Sequence, residues 1–407
     1  MRARIAILAV LGIVTLSGCG WTQFRGDSRH TGSNPFERTI SAANVALLTP
    51  AWTNSNQNLL AQQVVVRAGR AFVSASLNFY AIDTATGSVA WSIPRTKGVF
   101  GPGTTDGGGG AAGRIFAAER WTISTGRFSG ESSGLLHILD ATDGSQLDAV
   151  PLGGGAPVFS STWRYQAINA DIFPTNTIPS YIHRVDATSG SETFTVDFVQ
   201  SSVADVASDG DHVFAVVGNF TSLRSIPPRG CGAATCSSLW QSAPGDIFNA
   251  VTISGPTVFA RTETRVEAFP VDGCGASQCA PLWTTPDPPL GYPIDIAVSG
   301  DRLYLTRGAK LEVYAAAGCG IAICPPLWTA TTTGTPTAPS VANGVVYAGS
   351  SDGTLFAWNA AGCGAATCAP LLAQSQGGAV GPVSIDQGSL YFTVGGALRR
   401  LVIPGPA

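Results

Sequence analysis

The 407-residue sequence predicts an all-β chain folded as a β-propeller, a ring of four-stranded antiparallel blades. Three observations predict it. First, 49 Gly and 26 Pro punctuate the chain, which favours many short strands over long helices. Second, three independent markers share one period. The first Cys of a C-x4-C pair falls at Cys231, Cys274, Cys319 and Cys363, in steps of 43, 45 and 44. Four residues past the second Cys stand Trp240, Trp283 and Trp328, with Leu372 in the fourth copy. A turn glycine recurs at Gly210, Gly255, Gly300, Gly344 and Gly388, in steps of 45, 45, 44 and 44. Third, one period holds four strand-like stretches. Residues 293–298, 302–306 (RLYLT), 310–315 (KLEVYA) and 326–330 (PLWTA) are separated by Gly-centred turns and the Cys segment.

The elements follow in chain order. Arg2 and Arg4 precede an apolar run at 5–16, within signal-peptide length and short for a membrane span. The run ends in Leu16-Ser17-Gly18-Cys19, which resembles the lipobox of bacterial lipoproteins. The expectation is a signal peptide over 1–18 and a lipid-bearing Cys19 as the new N-terminus, in the cell envelope. Gly20 follows where Asp would mark inner-membrane retention, so the outer membrane is favoured if the host is Gram-negative. No other stretch is long and apolar enough to span. Residues 19–42 form a tether and opening segment, and 43–407 a single propeller domain.

Blades are expected at about 61–91, 99–150, 155–196, 202–241, 246–284, 291–329, 337–372 and from 380 onward. That makes eight, with seven the alternative. The last has three strands of its own, and residues 43–53 (ANVALLTPAWT) end like a fourth strand without partners. They are expected to complete the last blade and close the ring, removing its exposed edges. The first three blades carry D-x-x-x-G between third and fourth strands: Asp83/Gly87, Asp140/Gly144 and Asp186/Gly190. Asp accepts turn N–H groups and Gly supplies positive φ there. Trp91 and Phe194 lie four residues past their glycines, whereas Asp148 stands there in blade two.

A-x-D-x-x-T-G-x-x-x-W, Ala81 to Trp91, resembles the repeat of the pyrroloquinoline-quinone-like (quinoprotein-type) propellers. The stretch WTQFRGDSRHTG at 21–32 resembles the opening of their secreted members, and Arg25-Gly26-Asp27 is read as part of it. The resemblance spans nearly all of the mature chain and implies the fold, with the Trp packed between blades. It is poor for function, because the family includes dehydrogenases, kinase sensor domains and assembly lipoproteins.

Removing Cys19 leaves eight Cys in four C-x4-C pairs. Zinc would need four converging ligands, and only His30, His137, His183 and His212 are available besides. Redox catalysis favours a single C-x2-C centre. An even count in an exported chain reads as disulfides. The expectation is local bonds Cys231–Cys236, Cys274–Cys279, Cys319–Cys324 and Cys363–Cys368, replacing the Asp-Gly turn by a connection three residues longer. Closing so short a loop is worth about 2 kcal/mol in the chain-entropy estimate.

A net charge of −3 gives no electrostatic reason to expect nucleic acid. In a four-stranded meander the first–second and third–fourth connections share one face, which puts the Cys and Asp-Gly turns together. The longest insertions, at 121–134 in blade two and 171–180 in blade three, fall on the other face. Loops on a rigid scaffold are where binding is built, so Trp121, Arg127, Phe128 and Phe173 are the candidate partner-binding residues. Tolerated insertion is the structural alternative. Quinone enzymes of the family hold their cofactor with a vicinal Cys-Cys disulfide, and no Cys-Cys dipeptide occurs here. No catalytic residue, metal ligand or cofactor is predicted. Two function classes stand. One is a non-catalytic envelope lipoprotein that scaffolds an unidentified envelope protein, similar in kind to the propeller lipoprotein of outer-membrane assembly. The other is a quinone-dependent oxidoreductase or hydrolase with its site at the channel mouth. Charged groups converging on the axis would favour the enzyme.

Overall fold

The middle strands are apolar on both faces. Val213–Val217 and Val345–Gly349 are buried at every residue, because each sheet is covered by a neighbour on either side. Burial fades outward. Val89–Pro94, an outermost strand, buries only Trp91.

The computed structural model describes residues 21–405 except 56, 102, 106–112, 126–127, 153–166, 169–170, 173–179, 187–191, 199–204, 218–221, 229–236, 245–247 and 288–292. Among the described residues there are eight antiparallel sheets, numbered 1–8 here by the chain order of their innermost strands. They span 65–94, 99–152, 167–198, 205–242, 248–284, 293–331, 340–375 and 384–402. In each, strands A to D run from the innermost outward. The A strands of sheets 4, 5, 6, 7, 8, 1 and 2 touch in that order, which lays the sheets radially around an axis. Sheet 8 takes its D strand from the N-terminal region: Thr49–Asn54 pairs antiparallel with Ala397–Val402. No helix among the described residues is long and apolar enough to cross a membrane.

One contact recurs between neighbouring sheets. The D-strand Trp of one sheet lies flat on a positive-φ glycine in the C–D turn of the next. A Cβ on Gly87 would sit 2.6 Å from Trp52, and one on Gly144 2.6 Å from Trp91. Gly273 meets Trp240 at 2.6 Å, Gly318 meets Trp283 at 2.6 Å and Gly362 meets Trp328 at 2.8 Å. Only glycine permits both the close approach and the backbone. Trp52 on Gly87 seals the junction made by the N-terminal strand.

These pairs refine the reading of the cysteine turns. The glycine before each first Cys, not the Cys segment, is the counterpart of Gly87 and Gly144. The added residues do something further. Disulfides join Cys274 to Cys279, Cys319 to Cys324 and Cys363 to Cys368; Cys231 and Cys236 lie outside the described residues. Each bonded turn then reaches the D strand of the preceding sheet and pairs with it in parallel. Thr284 N–H donates to Ala322 O and Cys324 N–H to Thr284 O, at 2.8 and 2.9 Å. Thr329 does the same with Ala366 and Cys368, and Gln241 and Ser242 pair with Gln278 and Cys279. The turn thus covers part of an outer strand edge that would otherwise be open to pairing.

Candidate functional site at the axis and the insertion face

Residues 21–34 lie across the ring axis. Among the described residues, six A strands each present one N–H group to the axis, and successive carbonyls of this segment accept them. Val66 N–H donates to Trp21 O and Thr105 N–H to Thr22 O, at 2.8 and 3.0 Å. Ser208 donates to Ser28 O, Ile253 to Arg29 O, Val298 to Thr31 O and Val341 to Gly32 O, at 2.8–2.9 Å. At sheet 8 the direction reverses, and Asn34 Nδ2 donates to Ile385 O at 2.8 Å. One segment therefore visits sheets 1, 2, 4, 5, 6, 7 and 8 in ring order. Every A-strand donor stands one or two residues before the A–B turn, so the segment fills the axis at the face that carries the A–B and C–D turns.

The local sequence makes this curl. Gly26 and Gly32 have φ of 90° and 64°, and a Cβ on Gly32 would come within 2.9 Å of Ala297 Cβ. Arg25 and His30 also take positive φ, at 59° and 58°, a cost borne by residues whose side chains are anchored. Asp27 fixes the turn between them, accepting the N–H and hydroxyl of Thr31 at 3.0 Å each. The tripeptide Arg25-Gly26-Asp27 is thus built into the hub.

Charged side chains do converge on the axis. Arg25, side chain 3% exposed, places Nε 3.7 Å from Asp295 Oδ2 and donates from a terminal nitrogen to Pro339 O. His30 Nδ1 lies 3.5 Å from Asp205 Oδ2, and the same oxygen accepts Val251 N–H at 3.1 Å. Gln63 accepts Arg25 N–H and donates to Val383 O. Gln63, Asp205 and Asp295 each stand three residues before their sheet's axial donor, one A-strand register used three times. Sequence reasoning named Arg25 and His30 without this role and missed Gln63, Asp205 and Asp295. The 90-residue step from Asp205 to Asp295, two repeat periods, is the signal that could have found them. Arg25 and His30 come from the opening segment and the carboxylates from the ring, so the cluster fastens the hub.

Past the hub the chain crosses sheets 7 and 8 on the turn face. Glu37 carries this crossing: its Oε1 accepts the N–H groups of Arg38, Thr39 and Ile40, and its Oε2 accepts Gly388 N–H at 2.8 Å. Beside it burial and the Glu37 charge push the Asp386 carboxyl up to about 7, against the pull of Arg400. In sheet 2, burial raises the Glu119 carboxyl, but N–H groups of Gly98 and Lys97 outweigh it and hold it below the usual range. Glu119 Oε2 lies 3.2 Å from His137 Nε2, buried against Phe100. This pair fixes the loop entering sheet 2 rather than opening to a cavity.

The insertion of sheet 2 is not irregular, as the sequence suggested. Arg114–Thr125 and Phe128–Asp140 form an antiparallel hairpin, with Trp121 opposite Ser133 and Thr125 opposite Phe128 and a register shift between Phe128 and Glu131. Pairing satisfies the backbone of a Ser/Thr/Gly-rich stretch that has no apolar alternation. Pairing with strands A and D reaches Arg120 and Gly134, so the hairpin projects beyond it by about 17 Å at ~3.4 Å per residue. It lies on the face opposite the turns. Trp121 and Phe128 are placed on it by their backbones, whereas Arg127 and Phe173 lie outside the described residues.

No family model matches the chain, and no curated protein matches it. Solved structures do. The quinohemoprotein alcohol dehydrogenase from Comamonas testosteroni is similar with TM-score 0.68 and 13% identity, over 96% of this chain and 81% of that one. The fold is that of the quinoprotein-type β-propellers. BamB from Moraxella catarrhalis is similar with TM-score 0.61 and 14% identity, over 88% of this chain and 99% of its own. The computationally designed protein Ika8 is similar with TM-score 0.62 and 12% identity, over 86% and 97%.

The dehydrogenases of this fold imply a quinone with a metal ion. The axis at the turn face is filled by the chain itself, with Asp205 and Asp295 engaged there by His30 and Arg25. Among the described residues no three His, Cys, Asp or Glu side chains gather as a metal-binding set. At the turn face the described side chains are engaged by the chain itself, and no chemistry is routed through a quinone there.

Proposed function

We propose that the chain is a non-catalytic cell-envelope lipoprotein, acylated at Cys19, that binds envelope proteins through the face opposite the turns. The projecting hairpin that carries Trp121 and Phe128 is the observation behind this reading. It stands on a rigid ring, on the face the hub leaves uncovered, and its aromatic pair suits a protein surface. Near-complete coverage of BamB's own chain supports the comparison with a protein of that build. In a Gram-negative host the outer membrane is the location this reading expects. The test is recovery of cross-linked partners from envelopes with Trp121→Ala/Phe128→Ala. Loss of a partner at unchanged protein level supports the reading, and unchanged recovery refutes it.

The second reading is a quinone-dependent oxidoreductase or hydrolase with its site at the channel mouth on the hairpin face. Coverage of 96% of this chain by the Comamonas dehydrogenase favours it, as do Arg25, Asp205 and Asp295 converging on the axis. Saturable binding of pyrroloquinoline quinone with Ca²⁺, followed by absorbance, would establish it in place of the scaffold.

A further inference from the structure

We infer that the turn face of the propeller rests on the lipid bilayer, with the disulfide-bonded turns of sheets 6 and 7 seated in its surface. The inference rests on the acylation of Cys19 proposed above.

Exposed large apolar side chains gather on this face. Ile321 and Ile323, inside the bonded turn of sheet 6, are 63% and 58% exposed. Leu282, Leu327 and Leu371 stand at the same rim, each the residue before a D strand begins at Trp283, Trp328 or Leu372. Their backbone N–H groups are held by the C strands of their own sheets, at 2.7 Å in each case, so the leucines are presented at fixed positions. Phe36, on the crossing over sheets 7 and 8, is exposed on the same face. The bonded turns themselves are uncharged, and the exposed Asp272 and Asp301 stand beside them. Residues 273–283, 315–328 and 359–372 contain no Asp, Glu, Lys or Arg, whereas the turns at 83–88 and 140–145 carry Asp83, Asp140 and Asp143. An apolar, cross-linked surface enters a lipid interface with little ordering entropy left to lose, while the flanking carboxylates stay at the headgroup level.

The chain's own geometry selects lipid as the occupant. Trp21, two residues after Cys19, is fully buried at the axis and bonded to Val66, next to the A–B turn of sheet 1. Two peptide units span at most about 7 Å. The other mouth lies a full A strand away, about 17 Å for the five steps from Phe248 to Ile253 at ~3.4 Å each. An acyl anchor on Cys19 therefore reaches a membrane on the turn face and not on the hairpin face. The same orientation points the sheet 2 hairpin away from the bilayer.

The test uses the full, lipid-modified chain reconstituted in phosphatidylethanolamine–phosphatidylglycerol vesicles. A benzoylphenylalanine photoprobe is placed at position 321 and, for comparison, at position 77 in the B–C turn of sheet 1 on the other face. Mass spectrometry reads both the acylation of Cys19 and the photoadducts. The expected result is acyl-chain adducts at 321 in several-fold excess over 77. An acylated chain with no excess at 321 overturns the orientation while leaving the anchor standing. An unmodified Cys19 overturns the anchor, and the docking with it. A protein adduct at 321 in native envelopes, in place of lipid, overturns the choice of occupant.

Discussion

Replacing Gly318 by Ala tests the Trp–Gly contact that joins sheet to sheet. Gly318 has φ of 86°, and an added Cβ would lie 2.6 Å from Trp283 Cδ1 and 3.0 Å from Cγ and Nε1. Trp283 is 3% exposed and edge-on to Phe259, so the indole has little room to retreat. Gly320, two residues on, is the internal control: φ is 82° and nothing lies within 4 Å of its Cβ position. Both alanines bear the left-handed backbone cost of roughly 1–2 kcal/mol. Only Gly318→Ala adds overpacking, typically about 1–3 kcal/mol. Guanidinium unfolding followed by tryptophan fluorescence, with slopes compared, should therefore show a larger loss for Gly318→Ala by about 1–3 kcal/mol. Equal midpoints for the two variants would refute the contact as a source of sheet-to-sheet stability.

Other consequences are as direct. Cys319→Ser/Cys324→Ser should cost about 2 kcal/mol without abolishing folding, and hydrogen exchange should rise at Thr284, whose N–H bonds to that turn. Asp386 has its carboxyl pushed up to about 7 in the fold, against about 3.9 unfolded. Between those values the folded state binds the extra proton, so stability falls as pH rises from about 4 to 7 and is level above, a change of up to ~4 kcal/mol. Asp386→Asn should then be more stable than the native chain at pH 8 and equal to it at pH 4, as read by denaturant midpoints. Arg25→Ala should cost about 3–5 kcal/mol, because Asp295 keeps a half-buried charge. Arg25→Met/Asp295→Asn should recover part of that loss, and a strictly additive double variant would speak against the pair.

The ring was legible in the sequence because its markers repeat at one period. Cys, Trp and turn glycines recur at matching places in successive sheets, and Thr49–Asn54 betrayed itself by ending like a D strand. The frame of the cysteine turns was harder. Matching C-x4-C to D-x-x-x-G by strand spacing hid Gly273, Gly318 and Gly362, whose role shows only when a Trp from another sheet lies on them. The parallel pairing of these turns with preceding D strands is backbone to backbone and leaves no residue signature. The hub escaped for the same reason: seven sheets meet a segment mostly through its carbonyls. The paired strands at 121–134 escaped because that Ser/Thr/Gly-rich stretch has no apolar alternation to mark them. Cys19, Arg127, Phe173 and the Cys231–Cys236 pair fall outside the described residues.

The central claim is that the working surface is the hairpin face and that its ligand is protein. A benzoylphenylalanine photoprobe at position 128, illuminated in intact envelopes, tests it most directly. The account predicts a discrete protein adduct at 128 that is absent with the probe at position 321. No protein adduct at 128, or the same adducts from both positions, would contradict it.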